Sequence, residues 1–145
     1  MRRLPLILLA VAALGCGGST TPPEALLTLP ATDANVVGTF HLVTANGASL
    51  PIVAVNSATQ QANLTADTLV IVADNTWVET SIFNITSLID GTQGTARSVS
   101  SGTYLIANSQ INFTTTAGGT NAFAGSVTGN TLSLVFNNKP FVYSR

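Results

Sequence analysis

Few residues of this chain carry charge: Asp, Glu, Lys and Arg make up 8% of its 145 residues, where soluble domains carry about 25%. The surface must then be wetted by Ser, Thr, Asn and Gln, and β-branched Thr suits the exposed face of a strand. Histidine and cysteine occur once each, as His41 and Cys16. A single cysteine excludes an intrachain disulfide, so stability has to come from packing and backbone hydrogen bonds. One histidine and one cysteine are too few to hold zinc. A Ser-His-Asp arrangement through His41 is formally available but has no nucleophile elbow or other local signature. Without convergent reactive groups the chain is expected to be no enzyme and to need no metal or cofactor. Basic residues are scarce too. From Cys16 onward Arg97, Lys139 and Arg145 face six acidic residues, a net charge of −3. Such a chain lacks the basic face that nucleic acid or anionic lipid headgroups require.

What the chain does have begins at its start. Arg2 and Arg3 precede a short apolar segment, residues 4–14, which runs into Ala13-Leu14-Gly15-Cys16. A basic region, a brief apolar run and small residues at the cut describe a secretory signal peptide, and the run is too short to span a bilayer. The quartet resembles the bacterial lipobox, in which the cysteine is lipidated and the peptide before it removed, although family usage favours leucine where Ala13 stands. The resemblance implies that Cys16 becomes an acylated N-terminus and that the membrane is a partner through this lipid anchor. The implied location is the bacterial cell envelope. Gly17 is not the aspartate that retains some lipoproteins at the inner membrane, so in a source with two membranes the outer one is expected. The alternative is an ordinary secreted protein with an unpaired cysteine. The organisation expected is a lipoprotein signal peptide over 1–15, the lipidated cysteine and a flexible tether over 16–35, and one domain over 36–145. Within the tether, Thr21-Pro22-Pro23-Glu24 has capping-box spacing and predicts a turn or two of helix.

After residue 35 no stretch keeps a 3.6-residue apolar period for ten residues, whereas several keep a period of two. Turn pairs punctuate the chain at Asn46-Gly47, Asp74-Asn75, Asp90-Gly91, Asn108-Ser109, Gly118-Gly119, Gly129-Asn130 and Asn137-Asn138. Short alternating segments between such pairs are strands joined by hairpins. The expected strands cover 38–45, 50–55, 68–73, 76–85 and 97–107, followed by four shorter ones near 110–114, 122–128, 131–136 and 141–143. The fold class is therefore all-β, an antiparallel up-and-down barrel of eight to nine strands that removes its edges by closing on itself. A two-sheet β-sandwich is the alternative.

Gly38-Thr39-Phe40-x-Leu42, Gly102-Thr103-Tyr104, Ile111-x-Phe113 and Phe123-x-Gly125-x-Val127-x-Gly129-Asn130 occur in that order before a closing Arg145. This series resembles the small bacterial lipocalin-like lipoproteins over about residues 36–145. In the lipocalin and calycin group a basic residue of the last strand packs across a tryptophan of the first. The resemblance implies that Phe40 and Arg145 form that barrel-closing pair, with Phe in place of the usual Trp.

In this phase all nine aromatics point inward, enough bulk to favour a packed interior over a lipid-sized pocket, while Gly102, Gly125, Ala73 and Ser81 offer room for a void. Glu79 shares the inward phase of Trp77 and Phe83. It either meets Arg97 inside or, as the favoured expectation, is turned to water by a bulge or an edge position. Two functions stay open. One is a carrier or sensor of a small hydrophobic ligand held by Phe40, Trp77, Phe83, Tyr104 and Phe123, with the Tyr104 hydroxyl orienting it. The other is a structural or interaction module that meets an unknown protein partner through an outward stripe of Val70, Val72, Val78 and Ile82. A cavity of about 300 Å³ or more separates the first from the second.

Overall fold

The computed structural model describes residues 33–119 and 122–145. Cys16 and the expected helical turn at Thr21 lie outside them. A short helix α1 (Asp33–Val36) precedes ten strands: β1 (Gly38–Ala45), β2 (Ala48–Ser49), β3 (Ile52–Asn56), β4 (Gln60–Ile71), β5 (Thr76–Ser87), β6 (Gln93–Ala107), β7 (Gln110–Ala117), β8 (Ala122–Thr128), β9 (Thr131–Phe136) and β10 (Lys139–Ser144). The strands lie in the order β2-β1-β10-β9-β8-β7-β6-β5-β4-β3, and β1 also pairs with β4. That last pairing joins Gly38–His41 to Thr68–Ile71 and closes an antiparallel barrel of eight strands, with β2 and β3 as additions at one end.

Local chemistry explains the hairpins. Asn46 and Gly47, Asn108 and Ser109, and Asn137 and Asn138 each place two consecutive residues at positive φ. These are the two-residue turns whose twist matches that of the flanking strands, and Asn or Gly tolerates them best. Asp74 accepts hydrogen bonds from the backbone and hydroxyl of Thr76, and Asp90 from the backbone of Thr92, so both acids serve their turns.

Strand β4 begins eight residues before the expected start at residue 68. Its inward positions are Ala62 and Leu64, then Asp67, Leu69 and Ile71, because a bulge between Leu64 and Ala66 shifts the phase by one. The bulge breaks the alternation that would announce a long strand.

The barrel has one sealed end. Phe40, Leu69, Ile71, Trp77, Tyr104, Ile111, Phe113, Val127 and Leu132 are buried there with Val36 of α1. The guanidinium of Arg145 lies 4.6 Å from the centre of the Phe40 ring and donates to the carbonyls of Asn35 and Val37, which ties the last strand to the entry of the first. Neither Gly102 nor Gly125 leaves a void. A Cβ on Gly102 would fall 1.9 Å from the Thr114 carbonyl oxygen and 2.9 Å from Trp77 Nε1, and one on Gly125 would fall 2.3 Å from a Leu134 methyl group. Ala73, also assigned inward, is exposed in the turn after β4.

Phe40 is fully buried in this seal, so Phe40→Ala should cost about 3–5 kcal/mol. Gly102→Ala, which presses on backbone, should cost about 1–3 kcal/mol. Urea denaturation of the two variants checks both values.

Candidate functional site

Above the seal the barrel is hollow. A cavity of about 720 Å³ opens at the end where β1, β5, β7 and β9 finish, and the segment carrying β2 and β3 lies along its mouth. Its presence corrects the expectation of a self-filled interior. The inward phase assigned to the aromatics holds, since five are buried and the other four half-buried, but their bulk is unevenly placed. Phe113 and Phe123 stack at 4.7 Å between centroids; Trp77 meets both edge-on at 6.0 and 5.4 Å, and Phe136 adds a further edge contact at 6.2 Å. Rings spent on one another form a wall running from seal to mouth, not a plug. Nearer the mouth on β5, β6 and β7 stand the smaller lining residues Ser81, Ser100 and Thr115.

The five residues assigned to a ligand divide into two groups. Trp77, Phe83 and Phe123 line the cavity, whereas Phe40 and Tyr104 do not. Phe40 is in the seal beneath it. The Tyr104 hydroxyl donates to the Val72 carbonyl at 3.0 Å, at the sealed end, so it does not face a ligand. Phe136, Phe141, Leu64, Leu134 and Ile52 supply apolar wall in their place.

The polar side of the cavity is acidic. Glu79 points inward, which corrects the expectation that it turns to water, and Arg97 is not its partner. Arg97 lies on the outer face opposite Ile82 and donates to the Thr80 hydroxyl at 3.3 Å. Glu79 instead shares the Tyr143 hydroxyl with Asp67, at 3.3 Å to Glu79 Oε1 and 3.1 Å to Asp67 Oδ1. Ser81 donates to Asp67 Oδ2 at 2.5 Å. Adjacent strands β4 and β5 bring the acids together, since Asp67 is opposite Ser81 and Leu69 opposite Glu79.

Asp67 is only 5% exposed. Burial raises its pKa above the usual carboxylate range, against the opposing effect of its bonds from Ser81 and Tyr143. Burial first, and then the neighbouring charge of Asp67, lift Glu79 to about 7 despite the bond from Tyr143. The same burial and the two carboxylates push the Tyr143 phenol upward, so it remains a donor at neutral pH. Asp67 was missed as a candidate although Asp67-x-Leu69-x-Ile71 keeps the two-residue period. The bulge that hides the first half of β4 also hides the strand position of Asp67.

The outward residues Val70 and Val78 are cross-strand partners; Val72 and Val78 are exposed, Val70 and Ile82 half-buried. The Thr68–Thr80 pair separates Ile82 from the others, so the expected contiguous stripe is broken. His41 is exposed, with Nδ1 3.2 Å from the Thr68 hydroxyl. Among the described residues no group of three or more His, Cys, Asp or Glu is placed to hold a metal ion.

No family model, curated protein or solved structure matches the chain.

The raised Glu79 pKa has a definite sign in stability. Between the ordinary glutamate value of 4.5 and about 7 the folded state holds a proton that the unfolded state has lost, so stability is full at acid pH and falls as pH rises through about 7. One such proton gives a slope of up to about 1.4 kcal/mol per pH unit. Melting temperatures recorded across this interval should decline for the native chain and flatten in Glu79→Gln.

Proposed function

We propose that this protein is a non-catalytic, lipocalin-like carrier or sensor of a small hydrophobic molecule, anchored in the bacterial cell envelope through lipidated Cys16. The cavity is the observation that carries the binding function: about 720 Å³, largely apolar in its walls and open at one end. That volume exceeds the roughly 300 Å³ at which small-molecule sites begin. The sealed end supports the lipocalin-like reading, because Arg145 over Phe40 joins the last strand to the first where that family places its basic and aromatic pair. The envelope location is supported by the signal-like segment and by the Ala13-Leu14-Gly15-Cys16 quartet. Attachment through acyl chains needs no basic surface, which the domain lacks.

Native mass spectrometry tests the binding function. Protein purified without detergent and exposed to a lipid extract of its source cells should retain one small molecule per chain. Ser100 lines the cavity, and Ser100→Phe should reduce the retained fraction about tenfold by occupying ligand space. Bare protein mass in every condition would refute the carrier.

A further inference from the structure

Hydrogen-bond donors run short on the acidic side of the cavity. Ser81 serves Asp67 Oδ2, and the single proton of the Tyr143 hydroxyl is shared between Asp67 Oδ1 and Glu79 Oε1. Glu79 Oε2 has no hydrogen-bond partner among the described residues. No side-chain nitrogen or oxygen of those residues is both wholly buried and unpartnered, so this oxygen borders accessible space. Glu79 lines the cavity, and the space is the cavity itself. The titratable groups that face Glu79 are Asp67 from β4 and Tyr143 from β10, while β6 presents the uncharged Ser100 opposite it. Lys139 lines the cavity from the first, exposed position of β10, and Arg97 and His41 are on the outer face.

From this arrangement we infer that the ligand is an amphiphilic amine, its apolar body against Trp77, Phe83 and Phe123 and its ammonium group on Glu79 and Asp67. The inference rests on the carrier function proposed above and names the ligand class. An ammonium group supplies up to three donors and a compensating charge to acids that, among the described residues, are bonded by the Ser81 and Tyr143 hydroxyls and by no cation. A fatty carboxylate would add further acceptors and a like charge beside the acids. An alcohol would add one donor and no charge. Seating a cation requires Glu79 to be ionised, and burial holds its pKa near 7, so binding releases a proton in the neutral range. Amine affinity then rises by up to about tenfold per pH unit below that pKa and levels off above it. Alcohol affinity has no such dependence.

Trp77 is the only tryptophan of the chain and lines the cavity, so its emission reports occupancy. Dodecylammonium, dodecanol and dodecanoate, each titrated below its aggregation concentration, are the probes. At about pH 8 the amine should bind at least about tenfold more tightly than either of the others. In Glu79→Gln the preference should vanish while dodecanol still binds, which shows that the variant is folded. In the native chain, amine affinity should climb between about pH 6 and about pH 8 as dodecanol affinity stays level. The pH series needs no substitution. Dodecanol or dodecanoate binding as tightly as the amine, or a flat amine profile, would overturn the ligand class and leave the carrier standing. Failure of all three probes to bind would overturn both.

Discussion

Strand β1 has two hydrogen-bonding edges, and both are occupied by strands distant in sequence. His41–Ala45 pair with β10, and Gly38–His41 pair with β4. In an open meander β1 and β10 would be free edges, each a row of unpaired amides that invites association with another chain. Mutual pairing of the first and last strands removes both rows and gives the sheet an inside. With no intrachain disulfide and few ions available, the ladder and the aromatic seal have to carry the closure. Phe40 and Arg145 reinforce it at the point where the start of β1 meets the end of β10.

Closure also creates the cavity, through unequal filling. The sealed half contains Phe40, Trp77, Tyr104 and Phe113, all buried. The lining at the mouth includes Ser100, Thr115 and Gly119. An eight-stranded barrel is at the size where side chains either fill the interior or leave room for one small ligand, so the distribution of bulk decides the outcome. Here the rings satisfy one another along β5, β7, β8 and β9 and leave space beside β4 and β10. Into that space project Asp67, Glu79 and Tyr143, which a packed apolar core would not have admitted at acceptable cost. The segment bearing β2 and β3 fills the wedge where β1 leaves β4, and Ala48, Ser49 and Ile52 thereby become part of the mouth.

Two carboxylates held together inside a barrel with only hydroxyl donors constitute a local conflict between folding and solvation. Protonation relieves it at acid pH, and the amine ligand proposed above would relieve it at neutral pH. On that proposal stability and ligand choice are coupled through the same side chains, and a site of this kind is poorest in stability where it is readiest to bind.

Much of the fold was legible in the chain. Asn-Gly and Asn-Asn pairs dictate tight turns because few other residues accept positive φ, and the two-residue period from Ile111 to Tyr143 assigns inside and outside without reference to any partner strand. Those are local properties of the backbone. Three features depended on tertiary structure. The bulge after Leu64 cannot be read from a single strand, because it exists only relative to β5; with it were hidden the first half of β4 and the inward position of Asp67. The partner of Glu79 proved to be Tyr143, more than sixty residues away, since the barrel wraps β10 beside β1 and so within reach of β5. Finally, whether nine inward rings fill a barrel or line it depends on the height each occupies along the axis. Sequence determines which face of its strand a residue takes, but height follows from the register of eight strands paired together.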